Sequence, residues 1–413
     1  MNRPNHGGNL IWAATLAGCP PSFILDFSAS INPLGPPQFL LKAIQENLGA
    51  IAHYPDPSYQ QLCLALAQEH QVPPDHVLPG NGAAELITWA ARELAELDWV
   101  GMVTPAFSDY QRSLSAFHAK IKEFPLELPA LMVASFDPPQ PPFKRGENQL
   151  SPPFVGVACP EDLGGFRGIL PIERDNSYFC VHGNPQKRGV RLFDLPRGDE
   201  RAGLLLNNPH NPTGKLWRRE EILPYLEEFA LVVLDEAFMD FLSPKEEQSL
   251  IPLVQDYPNL VIIRSLTKFY SMPGLRLGYA IAHPARLQRW QQWRDPWSVN
   301  VLAEAAGLAA LEDREFRQQT WNWLAPTRAK LWQDLEHIPG LYPYLGAANF
   351  LLVHSQQSVL QLQEKLLRRD RVLIRDCVSF AELGDRYFRV AVRTEAENQR
   401  LVEGLTNLVV PKN

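Results

Sequence analysis

The chain has 413 residues, 45% of them hydrophobic, which is enough to bury one large or two ordinary domains. Its 39 basic and 46 acidic side chains leave a formal net charge of −7, and the basic residues form no long block, so neither nucleic acid nor an anionic membrane is an expected partner. Five scattered cysteines (Cys19, Cys63, Cys159, Cys180 and Cys377) show no CxxC pair and no metal-ligand spacing, so a reducing compartment without a bound metal is expected.

At the amino end, TLAGC (Thr15 to Cys19) follows the apolar LIWAA and resembles the end of a lipoprotein signal. The apolar run is short, Arg3 is the only early basic residue, and HGGN (His6 to Asn9) interrupts the grammar of a signal peptide, so a short amphipathic helix is expected instead. No later segment approaches the roughly 18 to 20 apolar residues of a membrane span. A soluble, cytoplasmic protein is the expectation.

Apolar runs then alternate with segments of helical period. WVGMV, AGLLL, LVVLD, LVIIRSL and LRLGYAIA read as strands, and AAELITWAARELAEL and REEILPYLEEFA as helices between them. This alternation predicts an α/β layered fold with a largely parallel sheet. Residues 135–198 break the pattern: PPQPPF and SPPF repeat a Pro-Pro-Phe phrase, DLGGFRG adds glycines, and a surface insertion is predicted there. After His283 the texture becomes helical, then NFLLVHS, VLIRD and YFRVAVR read as strands before a closing helix, EAENQRLVEGLTNLV. That is the pattern of a second, smaller α+β unit.

Four phrases fall where candidate strands end: GNGAAELI (Gly80 to Ile87), NNPHNPTG (Asn207 to Gly214), DEAF (Asp235 to Phe238) and SLTK (Ser265 to Lys268). The carboxyl edge of an open α/β sheet is where ligands bind. Singly, each phrase has a bland reading: Asp235 as a strand-end cap, Asn211 as a turn residue before proline, Lys268 as a solvated lysine. Their order and shared placement favour a single site.

Together with GLRLG (Gly274 to Gly278, carrying Arg276), these phrases resemble the aspartate-aminotransferase-like superfamily of pyridoxal-phosphate enzymes, the class I and II aminotransferases. The resemblance implies a fold type I transferase: an N-terminal segment 1–47 joining a small domain 284–413, a large cofactor-binding domain 48–283, and a homodimer with sites near the subunit interface. It implies that Lys268 joins the cofactor aldehyde, because only lysine offers a side-chain amine that a substrate amine can displace. Asp235 is implied to face the ring nitrogen and keep it protonated, Asn211 to meet the ring hydroxyl, and Phe107 to stack on the ring. Gly82, Ala83 and Ala84 at a helix start, with Ser265, Thr267 and Arg276, are implied to hold the cofactor phosphate, and Tyr54 to reach the partner subunit's phosphate. Many relatives carry tyrosine after DEA; Phe238 stands here, so that donor to the ring hydroxyl is missing.

Within the superfamily, HGGN, DFSASINPLGPP (Asp26 to Pro37) and HYPDPSY (His53 to Tyr59) resemble the threonine-phosphate decarboxylases of cobalamin assembly, with histidinol-phosphate aminotransferases as the alternative. Both act on small phosphorylated amino compounds. The resemblance implies that Arg389 forks the substrate carboxylate and Arg375 the phosphate, with Asn211, His6 and Asn32 assisting and Arg393 a weaker candidate. It also implies breakage of the bond from Cα to the carboxylate, with Lys268 returning a proton to Cα. A cofactor-binding protein without catalysis stays open as a different class, although such proteins carry an added DNA-binding domain for which the chain leaves no length.

Overall fold

The computed structural model describes residues 3–4, 6–126, 201–380 and 382–409. The 135–198 segment, with Cys159 and Cys180, lies outside the described residues.

Seven strands make the central sheet: β1 (Val77–Asn81), β2 (Trp99–Thr104), β3 (Ile121–Pro125), β4 (Ala202–Asn207), β5 (Leu231–Asp235), β6 (Leu260–Ser265) and β7 (Leu277–Ala282). Their order is β1-β7-β6-β5-β4-β2-β3. The pairs from β6 across to β3 are parallel, and β7 is antiparallel to both of its neighbours. All five strands expected from apolar runs are present, and β2, β4, β5, β6 and β7 are buried throughout. Burial on both faces is the reason such strands lack alternation. The edge strand β3, half polar as IKEFP, gives no comparable sequence signal.

Helices cover the sheet. Among them α1 (Gly82–Leu94) follows β1 without a loop and buries Leu86, Ile87, Ala90 and Leu94 at helical spacing. The shorter α2 (Ser108–Ala116) follows β2 and buries Tyr110, Ser113 and Leu114. A four-residue helix, α3 (Leu266–Phe269), continues directly from β6. The second sheet holds β8 (Leu341–Pro343), β9 (Phe350–Ser355), β10 (Arg375–Asp376) and β11 (Tyr387–Ala391), all antiparallel, in the order β10-β11-β9-β8. Leu25–Asp26 pairs in parallel with Val372–Leu373, which ties the amino-terminal segment to the carboxyl-terminal part of the chain. No helix among the described residues is long and apolar enough to cross a membrane.

Candidate active site

The parallel register places Asn207 beside Asp235, so β4 and β5 end level with one another, and β6 ends next to them at Ser265. A cavity of about 440 Å³ opens over these ends, within the range of small-molecule sites. Lys268, Asp235, Asn211, Phe107, Thr267 and Arg276 all line it. So do Ser265, Ala83 and Ala84 on one side, and His6, Arg375 and Arg389 on the other.

The loop after β4 is held by its own first residue. Asn207 donates to the carbonyl of Asp235 at 2.7 Å and accepts from the Asn211 amide at 2.6 Å. Asn211 thereby faces Arg389, whose Nη1 donates to its Oδ1, while Arg389 Nη2 donates to the Ser28 carbonyl at 3.2 Å. Arg375 is buried and donates from Nη2 to Ser379 Oγ at 2.7 Å. Burial pulls the Arg389 guanidinium down to about 10, which still leaves it charged at neutral pH.

Gly82 has φ +72°, and a Cβ there would stand 2.5 Å from Arg276 Nη2. Gly278 has the same necessity from the other side, since a Cβ would meet the Ala83 amide nitrogen at 2.6 Å. The two glycines therefore let an arginine fork and the first amides of α1 crowd around one spot, beside the Ser265 and Thr267 hydroxyls, which lie 2.7 Å apart. Helix amides, hydroxyls and a guanidinium at one point form a dianion cradle.

Lys268 is deep in the cavity, and Nζ donates to Thr267 Oγ1 at 3.0 Å. Burial pulls its pKa down to about 8; Asp235 opposes that shift, and Arg276 and Arg389 add to it. Burial pushes Asp235 up, against the Tyr110 hydroxyl, the Ala237 N–H and Lys268. In the cofactor-free protein, acetylation of Lys268 by acetic anhydride, followed by mass spectrometry of its peptide, is expected to have its pH midpoint near 8. Ordinary surface lysines are expected to respond about two units higher. A midpoint for Lys268 matching the surface lysines contradicts its placement.

Not every expected residue reaches the cavity. Asn32 is buried elsewhere: its Nδ2 donates to the Phe269 carbonyl at 2.9 Å and to Thr320 Oγ1 at 2.8 Å, so it braces α3 from behind rather than meeting a ligand. Tyr54, expected at the partner subunit's phosphate and not at this cavity, is 80% exposed, with its ring 4.6 Å from that of Trp297. Arg393 bonds the Asp26 carbonyl and Glu397, away from the site. Phe238 lines the cavity and packs edge-on against Phe350, so no hydroxyl stands at that position. Conversely, Asn207, Ser28 and Ser30, which lie within quoted phrases, and Tyr110, which lies in none, are not singled out by the sequence; Ser30 lines the cavity, and its buried Oγ has no hydrogen-bond partner among the described residues.

The chain belongs to the aminotransferase class I and II family, whose model matches residues 190–405. Within that class it is 36% identical to threonine-phosphate decarboxylase of Salmonella typhimurium, across 98% of this chain and 96% of that protein. It is 32% identical to histidinol-phosphate aminotransferase of Symbiobacterium thermophilum, across 91% and 87% of the two chains. The crystal structure of L-threonine-O-3-phosphate decarboxylase from Porphyromonas gingivalis superposes with a TM-score of 0.71 at 21% identity, over 92% of this chain and 98% of that one.

The residues present fit pyridoxal phosphate. The glycine-lined cradle suits its phosphate, a buried lysine with a depressed pKa suits its aldehyde, and a buried carboxylate suits a protonated ring nitrogen.

Proposed function

We propose that this chain uses pyridoxal phosphate to decarboxylate L-threonine O-3-phosphate, giving (R)-1-amino-2-propanol phosphate for the cobalamin nucleotide loop. The observation that carries this is the identity to a threonine-phosphate decarboxylase along nearly the whole of both chains. The site supports it by offering two buried arginines, Arg375 and Arg389, to a small substrate bearing two anionic groups.

The cofactor supplies an electron-accepting ring conjugated to the substrate's amino nitrogen. The chain's residues do the rest. Ala83, Ala84, Ser265, Thr267 and Arg276 would hold the cofactor phosphate, with Gly82 leaving room for the arginine. Phe107, Asn211 and Asp235, which line the same cavity, would hold the ring, with Asp235 supplying the negative charge that a protonated ring nitrogen needs. Arg389, oriented by its bonds to Asn211 and Ser28, binds the substrate carboxylate and so sets the angle of the bond to Cα. Arg375 binds the substrate phosphate, and His6, 6.0 Å ring to ring from Phe107, closes the cavity mouth. Lys268, with a pKa of about 8, can hold a proton and deliver it to Cα near neutral pH.

Residues 48–283 make the cofactor lobe in this reading, and 1–47 with 284–413 the second lobe; the strand pairing of Leu25–Asp26 with Val372–Leu373 supports that division. A homodimer is supported by the exposed apolar side chains Phe39, Leu48, Ile51 and Tyr54, all between residues 39 and 54. A cytoplasmic location accords with Cys19, Cys63 and Cys377, which form no disulfide among the described residues.

Purified protein supplied with pyridoxal phosphate and threonine phosphate is expected to release carbon dioxide and aminopropanol phosphate. The second reading, favoured by the histidinol-phosphate aminotransferase relative, predicts instead the conversion of histidinol phosphate with 2-oxoglutarate. That outcome, without carbon dioxide release, rejects the decarboxylase.

A further inference from the structure

From α2 we infer that Tyr110 is a positioning residue for Asp235, fixing the plane and charge of the carboxylate that faces the cofactor ring; this rests on the pyridoxal-phosphate reading above. Tyr110 stands three residues after Phe107, so the two rings come together, 5.6 Å apart and at 87°. Phe107 lines the cavity, whereas Tyr110 lies behind it and is 2% exposed. Its hydroxyl donates to Asp235 Oδ2 at 2.5 Å, the length of a hydrogen bond to an ionised acceptor. The other oxygen, Oδ1, accepts from the Ala237 N–H at 2.9 Å. With one donor on each oxygen, the carboxylate cannot rotate, and its remaining lone pairs are left for the cavity side.

The ionisable groups around this pair are few. Lys268 on α3 attracts Asp235, Asp109 on α2 acts on the Tyr110 hydroxyl, and Arg276 and Arg389 act through Lys268. Burial and Asp235 push the Tyr110 hydroxyl well above its ordinary range, so it stays protonated and keeps donating. Burial pushes Asp235 up, and the Tyr110 hydrogen bond is the foremost of the influences that pull it down. Losing that donor therefore raises the carboxyl further, and the acid side of any process that needs the anion moves to higher pH.

The test titrates pyridoxal phosphate into wild type and Tyr110→Phe across pH, following the visible absorbance of the bound cofactor. Tyr110→Phe is expected to weaken cofactor binding on the order of tenfold, and to raise the acid midpoint of the absorbance titration by about one unit. In an Asp235→Asn background the same substitution should add almost nothing, because the partner is gone. Incorporating 3,5-difluorotyrosine at position 110 keeps the shape with a stronger donor, and should move the acid midpoint downward even where the phenylalanine variant folds poorly. An unchanged midpoint in both variants, or an equal loss in the Asp235→Asn background, overturns the positioning role. A wild-type protein that shows no bound-cofactor absorbance overturns the pyridoxal-phosphate reading itself, and the inference with it.

Discussion

Replacement of Lys268 by alanine is expected to lower decarboxylation by roughly 10⁴-fold or more, the scale seen when an enzyme loses a group that both bonds covalently and moves a proton. No other lysine lines the cavity among the described residues, so none can substitute. Lys215 sits instead with Nζ 3.6 Å from the ring centre of Trp217. In the proposed reading Ala83, Ala84, Ser265, Thr267 and Arg276 hold the cofactor phosphate without Lys268 Nζ, so Lys268→Ala is expected to retain cofactor without covalent attachment. Turnover assays with rapid gel filtration separate the two effects: cofactor should co-elute initially and be stripped on prolonged dialysis. Turnover within tenfold of wild type ends the assignment of Lys268 as the attached lysine.

The largest expected effect on stability belongs to Glu236, which no part of the reaction uses. It is fully buried one residue past the end of β5, where its N–H still bonds the Ile263 carbonyl, and its carboxylate accepts from Arg264 Nε at 2.9 Å, while Arg264 also meets Asp240 at 2.5 Å and Glu247 at 2.8 Å. Ser249 Oγ and the Leu250 N–H complete the solvation of the Glu236 carboxylate. Burial pushes Glu236 up and Arg264 pulls it back. Removing Glu236 takes one of three carboxylates from a buried guanidinium that keeps Asp240 and Glu247, so Glu236→Ala should lower the unfolding free energy by about 3 kcal/mol, the low end of the loss for a fully broken buried pair. Glu247 is half-exposed to water by comparison, and Glu247→Ala should cost under about 1 kcal/mol. Urea unfolding at neutral pH measures both, and equal losses for the two variants contradict this ranking.

Much of the fold is legible because buried parallel strands leave long apolar runs, as in LVVLD and LVIIRS, and because the chemistry sits where those runs stop. The cradle is legible through the resemblance, which implies Gly82, Ala83, Ala84, Ser265, Thr267 and Arg276; the close approaches that require glycine at 82 and 278 show only in the structure. Tyr110 is not legible, since its importance depends on α2 placing a hydroxyl against a strand 125 residues further along. Asn32 misleads, because INP sits in a motif-rich stretch while its amide turns toward Phe269 and Thr320, 237 and 288 residues away. Ser28 acts through its backbone carbonyl on Arg389, a contact that side-chain identity does not encode.

Asp235 and Glu236 are adjacent acids of one chain segment, yet one borders the reaction and the other anchors the scaffold beneath it. The pleat enforces this separation, because consecutive side chains leave a strand on opposite sides. A single-residue insertion within LVVLD would thus exchange two carboxylates that look interchangeable on paper, stranding a guanidinium below while presenting a longer acid above. A conservative swap at either position is therefore expected to cost far less than a residue gained or lost in LVVLD.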